Sequence, residues 1–229
     1  PAEPLFRSSY IGLAVGLSND AHISALGEHA FGSAHGMKNF IVVSLGIGLG
    51  SCFFSEDREH HGNIGYAGEF GHTCVEDHGR PCGCGHYGCL EAYAGAKGIV
   101  QTAKELMAAS DAPSLMRNLD KLSPRTITEC CDQGDEMAIE VYRRTGYMLG
   151  IGLANYASIV DPEAIIMTGG ISHAGKWLYE PTYNSFEEHV FCNMKGKVKL
   201  LLSELEDRER DVLGASVLAW SVPEYSLFI

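Results

Sequence analysis

Residues 72–89 read His72-Thr73-Cys74-Val75-Glu76-Asp77-His78-Gly79-Arg80-Pro81-Cys82-Gly83-Cys84-Gly85-His86-Tyr87-Gly88-Cys89. Cys82, Cys84 and Cys89 fall within eight residues and are interleaved with Gly83, Gly85 and Gly88. Glycines let a backbone wrap tightly enough for several thiolates to converge on one ion. Zinc takes four ligands tetrahedrally, and three cysteines with one histidine form a standard structural set. His72 is the expected fourth ligand, with His78 and His86 as competitors. An iron–sulfur centre, with Cys74 as a fourth thiolate, is a rival. Free thiols beside surface histidines are the plain alternative. A closed zinc site binds no substrate. Its task would be to stiffen the 69–91 loop so that nearby carboxylates point into a cleft.

The composition outside this stretch is ordinary. The 229 residues suffice for a real core, as one large domain or two small ones. Hydrophobic residues make up 45% and charged residues 20%, as in common globular proteins. The net charge of −12 repels phosphate backbones, so no nucleic-acid partner is expected. No apolar run approaches the roughly 20 residues needed to span a bilayer, so no membrane partner is expected. Pro1-Ala2-Glu3-Pro4 lacks the charged-then-apolar order of a signal peptide. The other five of the eight cysteines are scattered, whereas a disulfide scaffold would spread all of them through a short chain. A cytoplasmic compartment is expected.

Residues 20–31 carry helical spacing, with Ile23, Leu26 and Ala30 on one stripe and Asn19 as N-cap. Phe40–Leu45 is a short β-branched run and predicts a buried strand. Gly46-Ile47-Gly48-Leu49-Gly50 predicts a turn, and Ser51–Phe54 a returning strand. Residues 55–90 are irregular and too long for an ordinary loop, so a function or an internal staple should hold them. Helices are expected at 91–108, 126–132, 135–159, about 175–190 and 211–220. Asp161-Pro162 should stop the third of these. Strands are expected at 164–168 and 197–203. Such alternation indicates an α/β protein with a covered sheet. Only one further strand, Ile11–Leu17, could precede the Asn19-Asp20 helix start, so an N-terminal lobe looks to be missing or truncated.

Several acids stand out. A carboxylate at Asp20 would ordinarily complement the start of its helix. As a functional group it is a candidate general base, because phosphoryl transfer to an alcohol needs a carboxylate to accept the hydroxyl proton. Glu69 and Glu91 flank the cysteine cluster. They are either solvated acids or groups that accept hydrogen bonds from adjacent sugar hydroxyls. Gly46, Gly48 and Gly50 could present backbone N–H groups to an anion, or could simply make a tight hairpin. Gly169-Gly170 follows a buried strand and precedes a helix, the position of a nucleotide-contact turn.

Taken together, these segments resemble the ROK family of sugar kinases and sugar-responsive repressors (repressor, open reading frame, kinase). That family lies within the actin-like, hexokinase-like ATPases of ribonuclease-H-like fold. The match runs from about residue 16 to 220. It rests on Asn19-Asp20-Ala21 with Ala25-Leu26-Gly27-Glu28, on Leu45 to Gly50 followed by Gly62, and on Gly68-Glu69-Phe70-Gly71-His72. Cys82-Gly83-Cys84-Gly85 with Gly88-Cys89-Leu90-Glu91, Asp161-Pro162-Glu163 with Gly169-Gly170, and Leu213-Gly214-Ala215 complete it.

The resemblance implies an α/β lobe with a zinc-binding loop, in three parts. Residues 1–18 would be a remnant of the N-terminal lobe or hinge, 19–208 the sugar- and zinc-binding lobe, and 209–229 a closing helix and tail packed on the N-terminal lobe. It implies transfer of phosphate from Mg-ATP to the 6-hydroxyl of a hexose, glucose or an N-acetyl hexosamine. Asp20 would be the base. Asn19, Glu69, His72 and Glu91 would bind the sugar. His72, Cys82, Cys84 and Cys89 would hold zinc. Gly46, Gly48 and Gly50 would face the ATP phosphates, and Gly169 and Gly170 the adenosine. A homodimer is implied as well. The chain departs from the pattern at four points. The Asp-x-Gly-Gly-Thr phosphate loop is absent from the sequence. Ile47 stands where Thr is usual, His22 where Asn is usual, and Cys52 where Gly or Ala is common. The sugar-sensing lobe of a ROK-type repressor, a non-catalytic sugar-binding module and a zinc-stapled structural protein are the rival readings.

Overall fold

The computed structural model describes residues 9–221 apart from Ile11 and Ala14. Helix α1 (Asp20–Phe31) leads into β1 (Phe40–Leu45), β2 (Leu49–Ser55) and β3 (Arg58–Glu59). After a long irregular strap come α2 (Glu91–Ala94), α3 (Ala96–Ala109), α4 (Pro124–Asp132) and α5 (Glu136–Val160). The chain closes with β4 (Ala164–Thr168), α6 (Lys176–His189), β5 (Lys199–Leu202) and α7 (Asp207–Trp220).

The five strands form one mixed sheet in the order β3-β2-β1-β4-β5. β1 pairs antiparallel with β2 and parallel with β4, and β4 pairs parallel with β5. Central strands covered on both faces favour apolar side chains on both, which is why β1 and β4 are apolar but for Ser44 and the terminal Thr168. Their alternation divides the core in two. Ile41, Val43 and Leu45 point with Ile165 and Met167 toward Leu149 and Leu153 of α5. Phe40 and Val42 point with Ala164 and Ile166 toward Ala25 of α1. The second face is closed further by α7, which packs against α1. Burying each large aliphatic side chain here contributes about 1.5–3 kcal/mol.

Helix α5 is the long buried helix expected from its composition, and it packs on α6. Asp135 caps its start, accepting from Met137 N at 2.9 Å and Ala138 N at 3.1 Å. Asp161 ends it in the left-handed region at φ 51°, immediately before Pro162. Hydrogen bonds from Ser114 Oγ at 2.7 Å and Leu115 N at 2.6 Å also reach Asp135. Burial opposes its ionisation, yet these bonds together hold its pKa below the usual value.

Three sequence expectations need correction. The 91–108 helix is broken at Gly95, whose backbone is extended, because Ala96 N turns aside to Gly46 O at 3.0 Å. The last helix begins at Asp207 rather than 211, since its polar first turn hides it from an apolar pattern. No strand forms over the described residues of Ile11–Leu17, where Gly12 has a φ of 69°. Residues 1–8 of the expected 1–18 segment and residues 222–229 of the expected closing tail lie outside the described residues. No helix among the described residues is long and apolar enough to cross a membrane.

Candidate sugar and metal site

The metal cluster expected from the sequence assembles. The ligand atoms of His72, Cys82, Cys84 and Cys89 all lie within 4.8 Å of one another. Cys82 Sγ is 3.6 Å from His72 Nδ1, and Cys84 Sγ is 3.7 Å from Cys89 Sγ. A tetrahedral ion with metal–sulfur bonds of about 2.3 Å sets its sulfurs about 3.8 Å apart, so the donors fit zinc. The competing ligands lie elsewhere. Cys74 bonds to Glu76 O at 3.4 Å, and the exposed His78 faces Asp77. Burial, aided by the Cys84 and Cys82 thiols, pushes the Cys89 pKa up to about 12. Thiols this close ionise together only beside a cation.

Local sequence explains the convergence. Cys74 pairs with Cys89, and Pro81 with Tyr87, in isolated β-bridges that fold the strap back on itself. Gly88 has a φ of 73°, and any side chain there would collide with Glu76 O. Arg80 then pins the strap to the body. Its guanidinium donates to Gly98 O at 3.0 Å and Thr102 Oγ1 at 3.0 Å, and its backbone N–H to Tyr93 Oη at 2.7 Å.

The segment bearing Glu69 and His72 is held from two sides. Ser51 of β2 donates to Gly68 O and accepts from Phe70 N at 3.2 Å. Tyr156 of α5 donates to Phe70 O and contacts Thr73 Oγ1 at 2.9 Å. Glu69 and His72 are left exposed at the rim of the short turn Phe70–His72. Sequence reasoning missed Ser51, Arg80 and Tyr156, whose hydroxyl or guanidinium groups act across long stretches of chain. Tyr156 carried one signal, since helical period puts it on the buried face of α5 with Leu149 and Leu153.

Asn19 caps α1, its Oδ1 accepting from Ala21 N at 2.8 Å. Asp20 sits beside it, and its Oδ1 accepts from the same amide at 2.8 Å. Asp20 and Glu69 both lie close enough to His22 for their charges to act on it. The hydrogen bond that His22 donates to Glu59 is the main reason its pKa is raised, and the charges of Glu59, Glu69 and Asp20 raise it further against the effect of burial. The glycine turn is adjacent, for Gly50 lies against Ala21. Glu91 faces the same turn. Its Oε2 accepts from Leu49 N at 3.0 Å, and its Oε1 is 3.9 Å from Cys82 Sγ. Gly48 makes that approach possible, since a Cβ there would stand 2.5 Å from Glu91 Oε2.

Gly169 and Gly170 connect β4 to the next turn, which Ile171 N fastens to Leu45 O at 3.1 Å. Gly170 lines a cavity of about 320 Å³ with Arg125, Thr128, Tyr142 and His173. The structure thus joins Glu91 to both the 46–50 turn and Cys82, sets the Asn19-Asp20 helix start against the same turn, and places a second concavity at Gly170.

A model described as ROK family matches residues 8–222. A glucokinase of Halalkalibacterium halodurans is 38% identical over 182 residues, covering 78% of this chain and 55% of its own. A xylose repressor of Caldicellulosiruptor bescii is 30% identical over 220 residues, covering 93% of this chain and 55% of its own. The crystal structure of a ROK family glucokinase from Streptomyces griseus, in complex with glucose and AMPPNP, superimposes with a TM-score of 0.83 at 33% identity. That match covers 92% of this chain and 70% of the other. The chain therefore spans a little over half the length of the glucokinase and the repressor. With the family model matched over nearly all of its residues, the chain belongs to the ROK family.

Proposed function

We propose that the chain is the sugar- and zinc-binding lobe of an ATP-dependent hexose kinase that acts on glucose or an N-acetyl hexosamine. The observation that carries this reading is Asp20 standing next to Ala21, against which Gly50 of the 46–50 turn packs, with the charge of Glu69 reaching the neighbouring His22. The similarity to two glucokinases supports the substrate class.

In this reading Glu69, His72 and Asn19 hold the sugar hydroxyls. The Glu69 carboxylate and Asn19 amide oxygen accept from the hydroxyls, and His72, with Nδ1 given to the metal, donates through Nε2–H. Asp20 accepts the proton of the 6-hydroxyl as that oxygen attacks the γ-phosphorus, and ADP leaves with the β–γ bridging oxygen. The 46–50 turn faces the phosphates of Mg-ATP, and the cavity at Gly170 takes the adenosine. His72, Cys82, Cys84 and Cys89 hold a structural zinc ion, whose charge neutralises the thiolates and fixes the strap. These residues contain no Asp-x-Gly-Gly-Thr string. We therefore expect the 229-residue chain by itself to bind hexose without turning over ATP.

The test is a thermal-shift screen of glucose, N-acetylglucosamine, N-acetylmannosamine, mannose, fructose and xylose, with and without Mg-ATP. A rise in midpoint with glucose or an N-acetyl hexosamine is expected. No shift with any hexose would defeat the reading. A second reading, the sugar-sensing lobe of a repressor, is favoured by the 30% identity to the xylose repressor. Stabilisation by xylose but not glucose would select it.

A further inference from the structure

Two of the positions where the sequence departs from the ROK pattern, His22 and Cys52, meet in space. His22 on α1 bonds through Nδ1 to Glu59 Oε1 on β3. Cys52 on β2 directs its Sγ to the same oxygen at 3.6 Å. Just past β3, His61 places Nε2 3.5 Å from Glu59 Oε2, and its ring stacks on His22 at 5.6 Å between centroids. The donor atoms of His22, Cys52 and Glu59 lie within 4.8 Å of one another. Cys52 is fully buried, and the side chains of His22 and Glu59 are only 11% and 14% exposed.

We propose that His22 Nδ1, Cys52 Sγ and Glu59 form a second site for a borderline divalent transition metal such as zinc, with His61 Nε2 as fourth ligand. The donor set selects the ion. A thiolate with imidazoles and one carboxylate suits zinc and its neighbours, whereas magnesium and calcium require oxygen ligands. The spacing suits it too. Metal bonds of about 2.0–2.3 Å put ligand atoms about 3.3–3.8 Å apart, and Cys52 Sγ to Glu59 Oε1 already falls in that range. Glu59 reaches the ion by opening its bond to His22, a rotation of terminal dihedrals rather than a backbone movement. The surroundings favour a cation as well, since Asp20 and Glu69 add negative potential at His22. On binding, the Cys52 thiol loses its proton to solvent and His22 is neutral. The site is separate from the Cys82–Cys84–Cys89 cluster and shares no ligand with it.

Zinc content after equilibration with zinc and removal of excess is the measurement. The unmodified chain should hold two equivalents. Cys52→Ala and Glu59→Gln should each hold one, and His61→Ala should bind the second equivalent about tenfold more weakly. Cys84→Ser should lose the other equivalent and retain the one that depends on Cys52, so a failure of the cysteine-cluster reading is told apart from a failure of this one. Glu59 and His61 are not fully buried, and circular dichroism of their variants confirms folding if Cys52→Ala proves unstable. Unchanged zinc content in folded Glu59→Gln and His61→Ala would overturn the proposal.

Discussion

Tyr156 stacks on Phe70 with ring centroids 3.9 Å apart and planes 17° from parallel, while its hydroxyl bonds to the Phe70 carbonyl. A residue in the last turns of the core helix thereby fixes the turn between Glu69 and His72. Tyr156→Phe keeps the stack and removes one donor from a carbonyl that Thr73 N–H and Oγ1 still serve, which costs about 0.5–1.5 kcal/mol. Hexose affinity should fall with stability, read as a weaker thermal shift by glucose. Unchanged affinity together with lowered stability would show that the turn holds its shape without this bond.

Asp20→Asn preserves size and polarity but cannot accept a proton. In the full-length protein it should leave hexose affinity near that of the parent and lower the turnover number by about 10²–10⁴-fold. Steady-state kinetics with a coupled glucose 6-phosphate assay separates the two parameters. A near-normal turnover number would reassign the base.

Cys84→Ser removes one thiolate from the cysteine cluster. The expected result is faster proteolysis confined to residues 69–91 and loss of the glucose-dependent shift, with the helical signal of α5 and α6 retained. Limited proteolysis followed by mass spectrometry reads the cleavage sites.

Asp135 offers a pH test. Its folded pKa lies below the ordinary value of 3.8, so its contribution is complete above that value and disappears as pH falls through the folded pKa. Asp135→Asn keeps one acceptor for the cap but sets an NH2 group against Leu115 N–H, so it should destabilise the chain at neutral pH by about 1–3 kcal/mol. The difference from the parent should shrink below about pH 3.8. Urea midpoints measured from pH 7 downward check this.

Much of this organisation could be read in the sequence, and its gaps have physical causes. β1 and β4 were legible because strands buried on both faces are apolar nearly throughout, with Ser44 and Thr168 close to their ends. β3 was not, because Arg58 and Glu59 carry no apolar pattern at an edge. The break at Gly95 was hidden within an Ala-rich run that scores as one helix, and it is enforced by a distant carbonyl, Gly46 O. The cysteine cluster was legible because its ligands are close in sequence. The His22, Cys52, Glu59 and His61 group was not, since helix, strand and hairpin packing brings those residues together. Glu91 was singled out for sugar hydroxyls. Its position against Leu49 N–H could not be anticipated, because that depends on how close the strap comes to the hairpin.

The bond from Glu91 to Leu49 N–H, together with the contact to Cys82, ties the glycine hairpin and the cysteine strap to one carboxylate. Ala96 N–H on Gly46 O adds a second tether one residue beyond the next turn. Parts joined at two points cannot swing independently. Any cleft closure must carry hairpin and strap as a single jaw, with its pivot located outside residues 46–96.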